Sequence, residues 1–259
     1  MTTAINLDHL TTGYRHRRGV KTVSCDITAS LSSGTLTCLL GPNGAGKSTL
    51  LRTLIGFTPV IAGSVSILGK EISLYTPSEL SKAVSVVLTE RVMLSDMSVE
   101  ELVGMGRAPY TGFWGRLSDN DMNIVSTALA AVGAEAMAQR PISTLSDGER
   151  QKVMIAKALA QQTPVILLDE PTAFLDYPSK VEIMRLLQSL AHREGKTIFL
   201  STHDVELALR IADTLWLIDR KRGVATGTPG SLSQDGTIGA YFERPGIKYN
   251  PEHLTFDIT

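Results

Sequence analysis

The run GPNGAGKST at 41–49 combines groups that together handle a phosphate chain. It fits the pattern G-x4-G-K-[ST] through Gly41, Gly46, Lys47 and Ser48. Glycine lets successive backbone N–H groups turn onto phosphate oxygens, and a helix starting there adds the positive end of its dipole. Lys47 would then reach the β- and γ-phosphates of a nucleoside triphosphate, and the Ser48 hydroxyl would bind Mg²⁺. The whole loop (Gly41, Pro42, Asn43, Gly44, Ala45, Gly46, Lys47, Ser48, Thr49) is therefore the candidate nucleotide site, with Lys47 also counted as catalytic. A second chemical element is VILLDEP at 165–171. An apolar strand ending in two carboxylates sets Asp169 to hold Mg²⁺, directly or through water, and Glu170 to polarise an attacking water as general base. Acidic residues often end strands, so this pair carries weight only beside the loop at 41–49.

These groups need a scaffold that presents strand ends and helix starts at one edge. The apolar runs TLTCLL (35–40), SVSIL (64–68), AVSVVLT (83–89), PVILLDE (164–170), TIFLST (197–202) and TLWLID (214–219) alternate with helix-length segments, which predicts an α/β fold with a mainly parallel sheet. From about 95 to 162 no strand pattern occurs, while DNDMNIVSTALAAVG (119–133) and GERQKVMIAKALAQQ (148–162) have helical periodicity. The expected organisation is one domain over 1–259. Its α/β core spans 1–90 and 163–235, a helical subdomain spans 91–162, and 236–259 forms a tail packed on the surface.

Hydrophobic residues make up 43% and charged residues 20%, as in an ordinary globular protein. The net charge of -1 argues against a nucleic-acid partner, and the basic cluster Arg15–Arg18 reads as a solvated loop. The two cysteines lack CxxC spacing, which fits a reducing compartment, with Cys38 a buried structural thiol. The start has no charged-then-apolar signal pattern, and no run of about 18 apolar residues occurs, so a membrane role needs a partner.

The loop and the Asp–Glu pair alone would suit a GTPase, a nucleotide kinase or a helicase. Together with LSDGERQ (145–151), VILLDEPTAFLD (165–176) and STHD (201–204), in that order, they resemble the ATP-binding subunit of ABC transporters over roughly residues 5 to 230. The resemblance implies a P-loop NTPase (RecA-like) core, an N-terminal antiparallel β portion and an inserted helical subdomain. It implies ATP and Mg²⁺ as cofactors and a second copy of the chain as partner, the two copies sandwiching two Mg·ATP. Tyr14 in TTGYR resembles the aromatic residue that stacks on adenine. His203 resembles the switch histidine that contacts the γ-phosphate and orients Glu170. Asp176 resembles the loop that links the halves of the dimer. Ser146, Gly148 and Glu149 resemble the segment that meets the other copy's phosphate. SDGE is also a capping box, with Ser146 as N-cap and Glu149 at N3, and a capped helix start is itself an anion site. The two roles are compatible.

Two positions depart from the family pattern. After the strand at 83–88 the family carries Pro-Gln, whereas this chain has Leu88 and Thr89, with Glu90 next. The Thr89 hydroxyl is the candidate metal contact, and Glu90 the charged alternative. The family's LSGGQ is replaced so that Asp147 and Glu149 hold the third and fifth places. An acidic side chain beside a triphosphate is repelled, so Asp147 must point away or weaken binding.

ELVGMGRAPYTGFWGRLSDND (101–121) resembles the ATPases of importers for iron–siderophore, haem and cobalamin. The expectation is an importer ATPase, peripheral on the cytoplasmic side of the inner membrane. Its partners would be integral-membrane permease subunits and, indirectly, a substrate-binding protein, with no nucleic acid. Three other readings stay open. A soluble GTPase or kinase lacks an NKxD motif here. A non-transport ABC protein usually carries two cassettes or long heptad runs. A nucleotide-binding subunit with little turnover would follow from Thr89 and Asp147. The aromatic cluster Tyr110–Trp114 either fills the helical lobe or borders a groove for the permease.

Overall fold

The computed structural model describes residues 2–16, 19–88, 97–112 and 115–258. The chain opens with a long antiparallel ribbon, β1 (Thr3–His16) and β2 (Gly19–Ser32), followed by β3 (Leu36–Leu40) and α1 (Lys47–Leu54). β4 (Ala62–Ile67) and the short β5 (Lys70–Glu71) return to the ribbon and give the order β2-β1-β4-β5. α2 (Pro77–Ala83) runs directly into β6 (Val84–Val87). The helical lobe holds α3 (Val99–Gly104), α4 (Asp119–Ala131) and α5 (Asp147–Ala160). Then come β7 (Val165–Asp169), α6 (Tyr177–Glu194), β8 (Thr197–Thr202), α7 (Val205–Ile211), β9 (Thr214–Asp219) and β10 (Gly223–Gly227). The chain closes with α8 (Pro229–Gln234), α9 (Thr237–Phe242) and a hairpin of β11 (Ile247–Asn250) and β12 (Thr255–Ile258).

The central sheet has the order β10-β9-β3-β8-β7-β6, and each pairing is parallel except β10 with β9. Successive side chains on a strand face opposite sides, and here each side feeds a different core. Leu36, Cys38, Leu40, Ile166, Leu168, Ile198, Leu200, Leu215 and Leu217 pack with the helices of the lobe, α6 and α7. Leu39, Val165, Leu167, Phe199, Trp216 and Ile218 pack with α1 and the antiparallel sheet. Burial also pushes the Cys38 thiol well above its usual range, which keeps it protonated and unreactive.

Helix starts follow a repeated local signal. α2, α3, α4 and α5 each begin with a capping box: Thr76–Glu79, Ser98–Glu101, Ser118–Asp121 and Ser146–Glu149. Arg107, 4% exposed, ties the lobe together. It donates to Asp121 Oδ1 (2.9 Å), Ala160 O (2.7 Å) and Gln162 Oε1 (2.9 Å). Tyr110 lies over its guanidinium (4.1 Å) and stays 40% exposed, so this ring caps the lobe surface rather than filling its core. Phe113 and Trp114 fall outside the described residues.

Two expectations change. SVSIL joins the antiparallel sheet, where β4 pairs with β1 (Ile5 opposite Ile67, Leu7 opposite Val65). Its length and apolar content could not tell a parallel partner from an antiparallel one. The C-terminal stretch, expected as a tail of little periodicity, folds into the β11–β12 hairpin. Phe256 packs edge-on against Phe242 and beside Tyr249, and its N–H donates to Glu206 Oε1 (3.1 Å).

Candidate nucleotide site

The loop at 41–49 joins the end of β3 to α1, and its glycines are required where it is tightest. Gly46 has φ 111°, and a Cβ there would lie 2.6 Å from Ser24 Oγ. At Gly41 a Cβ would collide with the Ile218 carbonyl. Lys47, 5% exposed, folds over the loop and donates to Gly41 O (2.9 Å) and Pro42 O (3.4 Å). Burial lowers its pKa, and the nearby carboxylates of Glu170 and Asp169 pull it back up.

The central sheet brings the acidic pair to the same edge. β7 and β8 run parallel with Asp169 opposite Ser201, so Asp169, Glu170 and His203 converge from neighbouring strand ends. Ser48 Oγ and Ser201 Oγ both donate to Asp169 Oδ1, at 3.1 and 2.6 Å. The Glu170 N–H donates to Ser201 Oγ (2.9 Å) and to Ser201 O (3.2 Å). Glu170 Oε1 lies 2.6 Å from His203 Nε2. Glu170 itself has φ 49°, a left-handed conformation that a non-glycine residue adopts only when its surroundings enforce it. Ser201 bridges both acidic residues from a fully buried position. Within STHD nothing local marks Ser201 for this role, because its partners lie more than thirty residues away.

Ser48 and Asp169 offer a hydroxyl and a carboxylate oxygen, donors of the hard kind that Mg²⁺ takes. Among the described residues no group of three or more His, Cys, Asp or Glu side chains gathers as a metal cage. Thr89, the remaining candidate metal contact, and Glu90 lie outside the described residues.

Tyr14 sits beside the loop, with its hydroxyl 3.0 Å from Thr49 Oγ1 and its ring 37% exposed. It borders an open cleft of about 710 Å³ that also touches Arg52, Phe57 and Leu88.

The signature residues stand elsewhere. The Glu149 N–H donates to Ser146 Oγ (3.2 Å), the Ser146 N–H to Glu149 Oε2 (2.8 Å), and Arg140 Nη1 to Glu149 Oε1 (3.1 Å). These bonds, led by the Ser146 backbone, hold the Glu149 carboxyl below its usual range. They tie the signature to the helical lobe, not to the loop at 41–49. Gly148 is not forced by crowding: a Cβ there would meet Ser179 Oγ at an ordinary 3.5 Å. Ser146 and Asp147 are exposed. Asp176 caps α6, accepting the Ser179 N–H (3.1 Å), and the Ser179 side chain and N–H hold its carboxyl below its usual range.

The ABC transporter family pattern matches residues 25–173. An uncharacterised ABC transporter ATP-binding protein of Methanocaldococcus jannaschii is 39% identical over 95% of this chain and 83% of its own length. The iron(3+)-hydroxamate import ATP-binding protein of Bacillus subtilis is 35% identical over 98% and 96%. The hemin import ATP-binding protein of Streptomyces coelicolor is 36% identical over 90% and 82%. Among solved structures, a bacterial ABC transporter cassette in dimeric form is 25% identical with a TM-score of 0.74, covering 87% of this chain and 98% of that one. The same cassette is known as a dimer in a post-hydrolysis state with ADP and phosphate. No helix among the described residues is long and apolar enough to cross a membrane. With the phosphate loop, the Asp169–Glu170 pair and the lobe that carries LSDGERQ all in place, this chain belongs to the ABC transporter ATP-binding family and is an ATPase.

Proposed function

We propose that ATP binds with Mg²⁺ at 41–49 and is hydrolysed in a sandwich of two copies, each site completed by Ser146, Gly148 and Glu149 of the second copy. The observation that carries this reading is the continuous series Ser48–Asp169–Ser201–Glu170–His203, which runs from the phosphate loop to a carboxylate poised for base chemistry.

Lys47 is already stationed over the loop, and its ammonium, which has three N–H donors, would reach the β- and γ-phosphate oxygens. Ser48 and Asp169, with Thr89 as the further candidate, would hold Mg²⁺, which would supply charge neutralisation. Glu170 takes a proton from water as the water oxygen bonds to the γ-phosphorus. The β–γ bridging bond breaks and its electron pair leaves with ADP. His203, with its proton on Nε2, donates to Glu170 Oε1 and fixes the carboxylate's direction. Tyr14 offers its ring face to adenine. Asp176 and the exposed start of α5, at Ser146 and Asp147, would face the second copy.

Hydrolysis would drive a membrane permease at the cytoplasmic face of the inner membrane, importing an iron–siderophore, haem or cobalamin-type chelate delivered by a binding protein. The residues at 101–121 and the names of the hydroxamate and hemin relatives support that cargo class. Glu170→Gln tests the chemistry. The variant should bind ATP, lose about 100-fold or more of its turnover, and accumulate an ATP-bound dimer on gel filtration. Wild-type turnover would overturn the base assignment.

A further inference from the structure

A phosphate loop presents N–H groups to its ligand only if its carbonyls are held facing away, because C=O and N–H of one trans peptide point in opposite directions. Here most of those carbonyls have an identifiable donor. Gly41 O and Pro42 O accept from Lys47 Nζ, and Pro42 O also accepts the Ala45 N–H (3.1 Å). Gly46 O accepts the Leu50 N–H (2.8 Å), the first bond of α1. Two more, those of Gly44 and Ala45, are held from outside the loop. Arg220 Nε donates to Gly44 O (2.8 Å) across 176 residues of sequence, and Ser24 Oγ donates to Ala45 O (3.3 Å).

The two kinds of donor differ in place. Lys47 belongs to the loop it braces. Arg220 and Ser24 brace it from separate elements. Arg220 sits in the β9–β10 turn, which Asp219 stiffens by accepting the N–H groups of Lys221 (2.8 Å) and Arg222 (3.1 Å) at Oδ1. Ser24 sits on β2, packed against Gly46. Holding Gly44 O outward directs the Ala45 N–H onto Pro42 O, which closes the turn. Holding Ala45 O outward directs the Gly46 N–H into the loop.

We propose that Arg220 and Ser24 are positioning residues that keep the loop in its phosphate-receiving shape. The proposal rests on ATP binding at 41–49, and its test separates the two. A fluorescent ATP analogue is titrated into wild type, Arg220→Ala, Arg220→Gln, Ser24→Ala and Lys47→Ala, with melting temperatures taken without nucleotide and steady-state ATPase measured.

Arg220→Ala should weaken binding and raise KM about tenfold, the size of one charged hydrogen bond, with kcat at saturating ATP unchanged. Its nucleotide-free melting point should stay at the wild-type value. Ser24→Ala should weaken binding about threefold, as a longer neutral bond implies. Arg220→Gln, which keeps an N–H donor without the charge, should recover most of the lost affinity. Unchanged affinity in Arg220→Ala overturns the proposal, as does a loss confined to kcat. Gln behaving like Ala also overturns it, because the guanidinium would then act by charge on the phosphates. Wild-type affinity in Lys47→Ala would instead overturn ATP binding at this loop.

Discussion

Ser201→Ala removes one oxygen that both acidic residues share. The hydroxyl donates to Asp169 Oδ1 at 2.6 Å and receives the Glu170 N–H at 2.9 Å, with no exposure to solvent. A hydrogen bond to a charged group is worth about 1.5–3 kcal/mol net. The Glu170 N–H keeps a second acceptor in Ser201 O at 3.2 Å, so its loss adds less than about 1 kcal/mol. The sum is about 3 kcal/mol, which for a chain of this size lowers Tm by about 6–12 °C. Circular dichroism melts without nucleotide measure that shift. A double-mutant cycle with Ser48→Ala sharpens the test, because Ser48 and Ser201 donate to the same Asp169 oxygen. Their effects should fail to add by about 0.5–3 kcal/mol. A Tm within about 2 °C of wild type, or strict additivity in the cycle, would refute the bridging role. ATPase activity should fall in step, since Asp169 and Glu170 both lose an anchor.

Tyr14→Ala should weaken ATP binding about 5- to 150-fold, the range for losing one base-stacking ring, whereas Tyr14→Phe should bind nearly as wild type in the same fluorescence titration. Asp147→Gly removes a favourable acidic group from the first turn of α5, at a cost of about 0.5 kcal/mol. It should nevertheless tighten ATP-driven dimerisation on gel filtration, and an unchanged dimer would show that Asp147 points away from the phosphates. Asp121 is held at a pKa of about 2 by the Ser118 hydroxyl and N–H and by Arg107. Because that value lies below the unfolded one, its contribution to stability is complete above about pH 4 and is lost as pH falls toward 2. Chemical denaturation across that window should show a steeper loss for wild type than for Asp121→Asn.

What could be read from the sequence was local. GPNGAGKST, VILLDEP and STHD each place their chemistry within a few residues of a strand end, and β3, β7, β8 and β9 follow as unbroken apolar runs because both faces are buried. The long ribbon of β1 and β2 has no comparable apolar run. Its Thr, Ser and Asp residues leave one side to solvent and blur the alternation, as the largely exposed pattern of β2 shows. The antiparallel portion was legible only through family resemblance. Ser201, Ser24 and Arg220 were not legible as site residues, since each acts on a group brought near only by the completed fold. Pairing partners carry no local signature, so SVSIL could not announce its sheet. Capping boxes, by contrast, are local, and among the described residues they occur at 76–79, 98–101, 118–121 and 146–149. The last of these lies inside a chemical motif.

The left-handed backbone at Glu170 sets evolvability against robustness at this position. A carboxylate there sits on a backbone that disfavours its own side chain by about 1 kcal/mol or more. Asparagine tolerates this region better, and without glycine's extra freedom in the unfolded chain. A library selected for heat resistance alone should therefore drift toward Asn at 170 and yield sturdier proteins that no longer turn over ATP. Only selection on transport itself would hold the acid in place.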